Sequence, residues 1–280
     1  MEPKAIVVAG NGINADAELA EALRAAGAAP ERIHVSELVA DPERLLGARI
    51  VGFPGGFSYG DHLGSGQVLA LLVRRSLKAA LERFVAEGGF VIGICNGFQA
   101  LARMGMLPNR AALAGSAPNP RSSAAAPLPA AAWEREVALI HNAGGRFVDD
   151  WAPVRFEAES RCVWTKGLAP RLLPIRHGEG RFVAKDAATL ASLEAEGLVA
   201  LRYGLEGGTP PPGAPPCPGN PNGSEADIAG ICDPTGRVLG LMPHPEAFLV
   251  AENHPGRRRG RRDPTGLDLF ENGVRAARGK

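Results

Sequence analysis

The sequence of 280 residues predicts an α/β fold whose central sheet is mixed but mainly parallel, with additional antiparallel strands in the second half. Short, β-branched apolar runs alternate with helical spacing early in the chain, as in strands buried on both faces of a parallel sheet. Later, apolar and polar residues alternate, which is typical of antiparallel strands. A hydrophobic content of 45% is enough for a full core.

The first half of the chain contains four predicted strands and three predicted helices. The strands are expected at 4–9, 32–35, 49–53 and 90–94. The helices are expected from about Asn14 through Leu19 and Leu23 to Gly27, over 67–87, and from Asn96 to a stop signal at Gly105.

The second half is predicted to be richer in strands. They are expected at 136–141, 146–157, 162–164, 172–175, 228–232 and 237–242, the last two joined by the turn 233–236. A final helix over 267–278 is expected to bury Leu267, Phe270 and Val274.

Two stretches interrupt this pattern. Residues 108–133 are rich in Ala, Pro and Ser, and residues 207–219 are rich in Pro. Such compositions lack apolar periodicity, so both are expected to be surface insertions in one domain that spans 1–280.

Composition and charge argue against several classes of protein. The net charge of +1 gives no global attraction to nucleic acid or to a membrane surface. No apolar run reaches membrane-spanning length and a strand begins directly after the N-terminus, so a cytoplasmic protein is expected. The arginine-rich run 257–262 lacks interleaved aromatic residues, which favours a solvated loop or partner surface over a nucleic-acid patch.

The four cysteines are Cys95, Cys162, Cys217 and Cys232. Their spacing fits neither a metal site nor a disulfide framework, which agrees with a reducing compartment. We therefore expect no metal in this chain.

Cys95 differs from the other three because it follows an apolar strand and directly precedes a helical pattern. Gly93 and Gly97 flank it at minus two and plus two, as in the G-x-S-x-G turn that exposes a nucleophile at a sheet edge. The start of a helix also favours a thiolate. A buried, inert cysteine is the alternative, but the paired glycines favour a nucleophile.

A glycine-rich loop, 54–66, follows the third predicted strand. Its Gly55 and Gly56 can adopt conformations closed to other residues and present backbone N–H groups. In a parallel sheet this loop lies beside the Cys95 turn, so the glycine pair is a candidate source of an oxyanion donor. A mobile loop is the alternative.

His244 lies between two prolines, and Glu246 follows the second, in the segment Met-Pro-His-Pro-Glu after the last strand. In extended backbone, side chains two apart point the same way, so the histidine and the carboxylate can meet. Such a pair would supply the base for a cysteine nucleophile. His177 and Glu179 have the same spacing, but glycines flank them and favour a flexible loop, so we prefer His244.

The loop Gly-Asn-Gly-Ile-Asn-Ala at 10–15, after the first strand, gives a weak dinucleotide-binding pattern with Glu37 as a ribose contact. Glycines after a first strand are common in doubly wound sheets. A dinucleotide-binding module therefore stays an alternative to an enzyme with a cysteine nucleophile.

The segments GICNGFQ and MPHPE resemble those of class I glutamine amidotransferases. The further segments PGGFSYGD, HNAGGRF, IRHGEGRF, NPNGS, IAGI and VLGLMPHPEAF resemble the glutaminase subunits of phosphoribosylformylglycinamidine synthases. The resemblance covers nearly the whole chain except 108–133 and the Pro-rich part of 207–219. It implies a three-layer, flavodoxin-like class I glutamine amidotransferase domain.

The resemblance also implies a role for each site residue. Cys95 would attack the side-chain amide of L-glutamine, His244 would transfer protons, and Glu246 would hold the imidazole. The backbone N–H groups of Gly56 and Asn96 would bind the oxyanion. Gln99 would help to hold the substrate. Gly55, which lies next to Gly56 in the glycine-rich loop, would also take part in substrate binding.

The partners that the resemblance implies are a synthetase subunit and a small third subunit. The synthetase would use the ammonia, together with ATP and magnesium, to convert formylglycinamide ribonucleotide to formylglycinamidine ribonucleotide in purine biosynthesis. This chain itself shows no ATP-grasp or P-loop signature, so no cofactor is expected in it. An amidotransferase that serves a different acceptor is the alternative.

Overall fold

The computed structural model describes residues 2–110, 133–205, 216–260 and 263–279. Most of the two predicted insertions, namely 111–132 and 207–215, therefore lies outside the described residues, as do Arg261 and Arg262. Within the described part, no helix is both long and apolar enough to cross a membrane.

The strands form one large sheet and one small sheet. In chain order they are β1 (Lys4–Ala9), β2 (Ala29–His34), β3 (Ile50–Phe53), β4 (Phe90–Ile94), β5 (Val137–Ile140), β6 (Val148–Phe156), β7 (Arg171–His177), β8 (Arg181–Ala184), β9 (Val199–Tyr203), β10 (Ile228–Cys232) and β11 (Val238–Leu241).

The helices alternate with the early strands and then become sparse. They are α1 (Asp16–Ala25), α2 (Val35–Ala40), α3 (Gln67–Ser76), α4 (Lys78–Ala86), α5 (Asn96–Met104), α6 (Ala187–Ala195) and α7 (Leu267–Arg278).

The large sheet has nine described strands in the order β2-β1-β3-β4-β11-β10-β9-β6-β7. Pairing is parallel from β2 through β11 and antiparallel from β11 to β7. Strands β5 and β8 form a separate antiparallel pair. The predicted mixed sheet, parallel at the start and with antiparallel strands in the second half, is thus confirmed, although parallel and antiparallel pairings are equally frequent among the described strands of the large sheet.

Helices cover both faces of the parallel part, which gives three layers. A Cβ atom placed on Gly52 would lie 2.7 Å from Leu19 of α1, whereas one placed on Gly97 of α5 would lie 2.9 Å from Cβ of Phe53. Successive strand residues point to opposite faces, so α1 and α5 lie on opposite sides of β3. Val51 and Ile92 are fully buried between these layers.

Several predicted boundaries were wrong. Val35 begins α2 instead of ending β2. The helix predicted over 67–87 is divided into two at the buried Leu77, whose φ of −116° departs from the value of about −63° in a regular α-helix. Residues 162–164 form no strand; Trp164 is buried and its Nε1 donates to the carbonyl of Arg237 at 2.9 Å, so this apolar stretch serves the core.

The final helix has the predicted bounds, but its buried face differs in one residue. Leu269, not Leu267, is buried beside Phe270 and Val274. Helices α2 and α6 and strands β8 and β9 were not predicted. None of these four changes the position of Cys95, because β3, β4 and α5 lie where the sequence predicted them.

Candidate active site

Cys95 lies between the end of β4 and the start of α5, in a backbone conformation of φ 51° and ψ −105°. A non-glycine residue with positive φ is strained and persists only where the surroundings fix it. Here its backbone N–H donates to the carbonyl of Leu241 at 2.8 Å, and its Sγ donates to the carbonyl of Arg176 at 3.5 Å. The thiol is therefore held at the carboxyl edge of the parallel strands.

The two glycines that flank Cys95 are required by close packing. A Cβ atom on Gly97 would lie 1.9 Å from the carbonyl oxygen of Phe53, and one on Gly93 would lie 2.5 Å from Leu101 and 2.9 Å from the backbone of Gly97. Strand and helix can therefore meet only without side chains at these positions. The sequence pattern around Cys95 corresponds to a real strand-to-helix turn.

The glycine loop, residues 54–66, lies beside this turn. A Cβ atom on Gly55 would lie 2.8 Å from Cε1 of His244 and 3.6 Å from Cβ of Cys95. Cys95 and His244 therefore meet around Gly55, although they are remote in sequence. Gly56 has a φ of 144°, which glycine adopts without strain.

The loop 10–15 packs directly against the glycine loop. The N–H of Phe57 donates to the carbonyl of Gly12 at 2.8 Å, and the N–H of Asn14 donates to the carbonyl of Gly55 at 3.4 Å. A Cβ atom on Gly12 would lie 2.1 Å from the carbonyl oxygen of Phe57. The glycine at position 12 thus permits contact between two loops, which gives the dinucleotide-like pattern a packing role.

His244 and Glu246 form a buried pair after β11. Nδ1 of His244 lies 2.6 Å from Oε1 of Glu246, and the backbone N–H of His244 donates to the carbonyl of Pro174 at 2.8 Å. The predicted extended backbone was wrong in detail, because residues 245–247 form a 3₁₀ turn. The turn nevertheless brings the two side chains together.

The surroundings of His244 favour its charged form. Burial by itself would lower the pKa, but the carboxylate of Glu246 and the sulfur of Cys95 outweigh it and raise the pKa of His244 to about 10. With Nδ1 engaged by Glu246, Nε2 has no hydrogen-bond partner among the described residues. That nitrogen is free to exchange a proton with a group bound at Cys95.

Asn96 and Gln99 connect α5 to neighbouring segments. The side chain of Asn96 accepts the N–H of Ser58 at 3.2 Å and donates to Asp61 at 3.1 Å and to Oε1 of Gln99 at 3.1 Å. Nε2 of Gln99 donates to the backbone carbonyl of Glu179. These contacts fix the start of α5 against the glycine loop, and the substrate-binding roles of both residues stay predictions.

His177, the alternative base, has different partners from His244. Its Nδ1 lies 3.0 Å from Oδ1 of Asn142, whose Nδ2 donates to the carbonyl of His177 at 2.8 Å. Burial, together with the charge of His244, lowers the pKa of His177 to about 4. The structure therefore pairs His244 with a carboxylate and His177 with a neutral amide.

Arg176 is a site neighbour that the sequence did not single out. Its carbonyl accepts from Cys95, while its Nη2 lies 3.4 Å from Nδ1 of His244 and 3.1 Å from Oε2 of Glu18 on α1. The motif IRHGEGRF indicated this segment as a whole. The motif could not show that a backbone carbonyl, rather than a side chain, contacts the thiol.

Residues 2–275 match the family model described as a CobB/CobQ-like glutamine amidotransferase domain. The chain belongs to this glutamine amidotransferase family.

Within this family, the chain is similar to proteins named phosphoribosylformylglycinamidine synthase subunit PurQ. It is 39% identical over 279 residues to that of Treponema denticola, a match that covers 98% of both chains. It is 38% identical to that of Methanococcus maripaludis strain S2 / LL, covering 90% of this chain and 85% of the relative.

The chain is also similar to solved structures. A chain in the structure of PurLQS from Thermotoga maritima matches with a TM-score of 0.65 and 28% identity, covering 98% of this chain and 99% of that one. A glutamine amidotransferase from Thermotoga maritima, at 10% identity and a TM-score of 0.51, shares the fold.

Proposed function

We propose that this chain is the glutaminase subunit of phosphoribosylformylglycinamidine synthase, which hydrolyses L-glutamine to glutamate and ammonia. The observation that carries the proposal is the meeting of Cys95 and the His244–Glu246 pair around Gly55. The similarity to proteins named PurQ over nearly the whole chain supports the choice of synthase.

In the first half-reaction, Nε2 of His244 takes the proton of the Cys95 thiol, and Sγ attacks the side-chain amide carbon of glutamine. The carbonyl oxygen becomes an oxyanion, and the backbone N–H groups of Gly56 and Asn96 stabilise it. His244 donates a proton from Nε2 to the amide nitrogen, the C–N bond breaks, and ammonia leaves. The product on the enzyme is a glutamyl thioester of Cys95.

In the second half-reaction, water replaces ammonia at the site. Nε2 of His244 takes a proton from the water as its oxygen attacks the thioester carbon. The C–S bond breaks, which releases glutamate and regenerates the pair of Cys95 and His244. Glu246 holds the imidazole in one orientation and stabilises its positive charge throughout.

The released ammonia would be used by a separate synthetase subunit. That subunit would bind ATP and magnesium and convert formylglycinamide ribonucleotide to formylglycinamidine ribonucleotide, and a small third subunit would complete the complex. This chain would contain no cofactor, contact neither nucleic acid nor membrane, and act in the cytoplasm as one domain over 1–280 with surface insertions at 108–133 and 207–219.

The proposal is tested by reconstituting the complex with wild-type chain or with Cys95→Ser. Glutamine-dependent formation of the amidine should be lost in the variant, whereas added ammonia should still support it. Loss of both activities would make Cys95 structural. Recovery of a different synthetase in a pull-down with the wild-type chain would contradict the assigned acceptor.

A further inference from the structure

Glu179 lies outside the group formed by Cys95, His244 and Glu246, in the turn between β7 and β8. Its backbone carbonyl accepts a hydrogen bond from Gln99 on α5. Its carboxylate Oε2 accepts the backbone N–H of Ser65 at 3.3 Å. One acidic residue therefore contacts both the end of the glycine loop and the helix that follows the nucleophile.

Arg103 on α5 completes a closed set of contacts. Its Nη2 lies 3.4 Å from Oε2 of Glu179, and its Nε donates to the carbonyl of Ser65 at 2.7 Å. Each of Ser65, Arg103 and Glu179 thus contacts the other two. The side chains of Arg103 and Glu179 are 24% and 17% exposed, so water only partly screens their charges.

The turn that presents Glu179 is itself fixed. Oδ1 of Asn142 accepts the N–H of Gly180 at 3.1 Å, and its Nδ2 donates to the backbone carbonyl of His177 at 2.8 Å. Asn142 therefore holds the backbone on both sides of Glu179. The carboxylate is a fixed acceptor for the glycine loop and not the end of a freely moving surface side chain.

The glycine loop is attached to α5 at two places. Asn96 holds its middle through Ser58 and Asp61, and Asp61 also accepts the N–H of Gly66 at 3.0 Å. Glu179 and Arg103 hold its end. The direction of the loop's N–H groups relative to the Cys95 turn therefore depends on both attachments, together with the contacts of Gly55 and Phe57 to the loop 10–15.

We propose that Glu179 is a positioning residue for glutamine hydrolysis, which holds the glycine loop against α5 so that the N–H groups of Gly56 and Asn96 face the same oxyanion. The inference rests on the proposed glutaminase function. Glu179 acts through the loop and does not contact the reacting atoms. Since a displacement of about 1 Å at a catalytic group costs on the order of 100-fold in rate, loss of this contact should be readily measurable.

The test compares Glu179→Ala with Glu179→Gln in the full chain assembled with the synthetase and small subunits. The alanine variant should lower kcat for glutamine hydrolysis about 100-fold with little change in KM. Glutamine at this position retains an oxygen that can accept from Ser65 and Arg103, so its kcat should stay within about fivefold of wild type. Glu43→Ala is the control, because it removes an exposed acid that pairs with Arg83 at 2.8 Å.

A second readout separates positioning from general damage. Alkylation of Cys95 by iodoacetamide requires the thiol but no oxyanion donor, so its rate should be unchanged in Glu179→Ala.

The double variant Glu179→Ala with Arg103→Ala should lose no more activity than the single variant, because both substitutions disrupt one set of contacts. The inference is overturned if the alanine variant keeps kcat within threefold of wild type, if alkylation and kcat fall together, or if the double variant loses further activity. Absence of Cys95-dependent hydrolysis in the wild type would instead overturn the proposed function.

Discussion

The two halves of the molecule place their parts of the active site in different ways. In the parallel half, Cys95 is positioned by its own neighbours in sequence, because Gly93 and Gly97 allow β4 and α5 to meet in a tight turn. In the antiparallel half, His244 is positioned by a remote segment, since its N–H donates to the carbonyl of Pro174. The turn of Cys95, the proposed nucleophile, thus follows from local glycines, and bonds to Leu241 and Arg176 hold it in place. The backbone of His244, the proposed base, is held by a tertiary contact alone.

The largest expected effect follows from removing the base. His244→Ala should lower glutamine hydrolysis at least about 10,000-fold, as for groups that act as one catalytic unit. Combining it with Cys95→Ala should cause little further loss. The measurement is steady-state glutamate release by the assembled complex.

His177→Ala is the comparison for this experiment, because His177 has the same spacing to an acid but pairs with Asn142. Its effect should fall mainly on assembly or substrate positioning. Equal losses of thioester formation in the two variants would contradict the choice of His244 as the base.

A smaller effect is expected when the base is kept but its carboxylate is neutralised. Glu246→Gln should lower kcat about 1,000-fold, because the amide no longer stabilises the charged imidazole or fixes its tautomer. The pKa of His244 should fall toward its ordinary range, which NMR titration of the imidazole can follow. An unchanged pKa would show that Glu246 does not supply the stabilising charge.

Gly55 lies where Cys95 of the parallel half meets His244 of the antiparallel half, so a substitution there should disturb this contact. Gly55→Ala should displace the ring of His244, whose Cε1 would lie 2.8 Å from the new methyl group, and should lower kcat about 100-fold. Gly144→Ala is the matched control, because a Cβ atom there meets nothing within 4 Å. Comparable losses in both variants would indicate general destabilisation, which thermal melting would detect.

The sequence predicted the local part of this site better than the remote part. Cys95, its flanking glycines and the bounds of β4 and α5 follow from short-range pattern, and the structure places them as predicted. The prolines around His244 indicated a rigid segment but not its 3₁₀ turn.

The contacts of Glu179 could not be predicted, because they join residues far apart in sequence. Its partner Ser65 lies 114 positions away, and no local periodicity reports such a pairing. The prediction of a strand at 162–164 was wrong for a related reason. Trp164 is buried in the core, and local pattern cannot distinguish such an apolar residue from one in a sheet.

The last predicted effects concern the stability of the fold and distinguish the two buried histidines. The pKa of His177 is lowered to about 4 from an ordinary value of 6.5, so the unfolded chain binds this proton more readily. The free energy of unfolding should therefore fall as the pH decreases from 6.5 to 4, by at most about 3 kcal/mol. His177→Gln should reduce this acid-side loss.

The pKa of His244 is raised to about 10, which gives the opposite dependence. Its contribution to stability is complete below pH 6.5 and is lost as the pH rises through 10. His244→Gln should reduce the alkaline-side loss. It should also reduce the acid-side loss in part, because it removes the charge that helps to lower the pKa of His177. Urea unfolding across this pH range measures both effects, and curves parallel to wild type in both variants would contradict the assignment.

The position of β11 has a consequence for how the protein is made. This strand lies between β4 and β10, and the carbonyl of its Leu241 accepts the N–H of Cys95. The ribosome must therefore synthesise about 140 residues after Cys95 before β11, the second of the two strands that pair with β4, begins. A nascent chain that ends before Val238 contains the thiol but neither β11 nor His244, so it should release no ammonia before its synthesis is nearly complete. The long-range pairing of β11 with β4 also slows folding after synthesis.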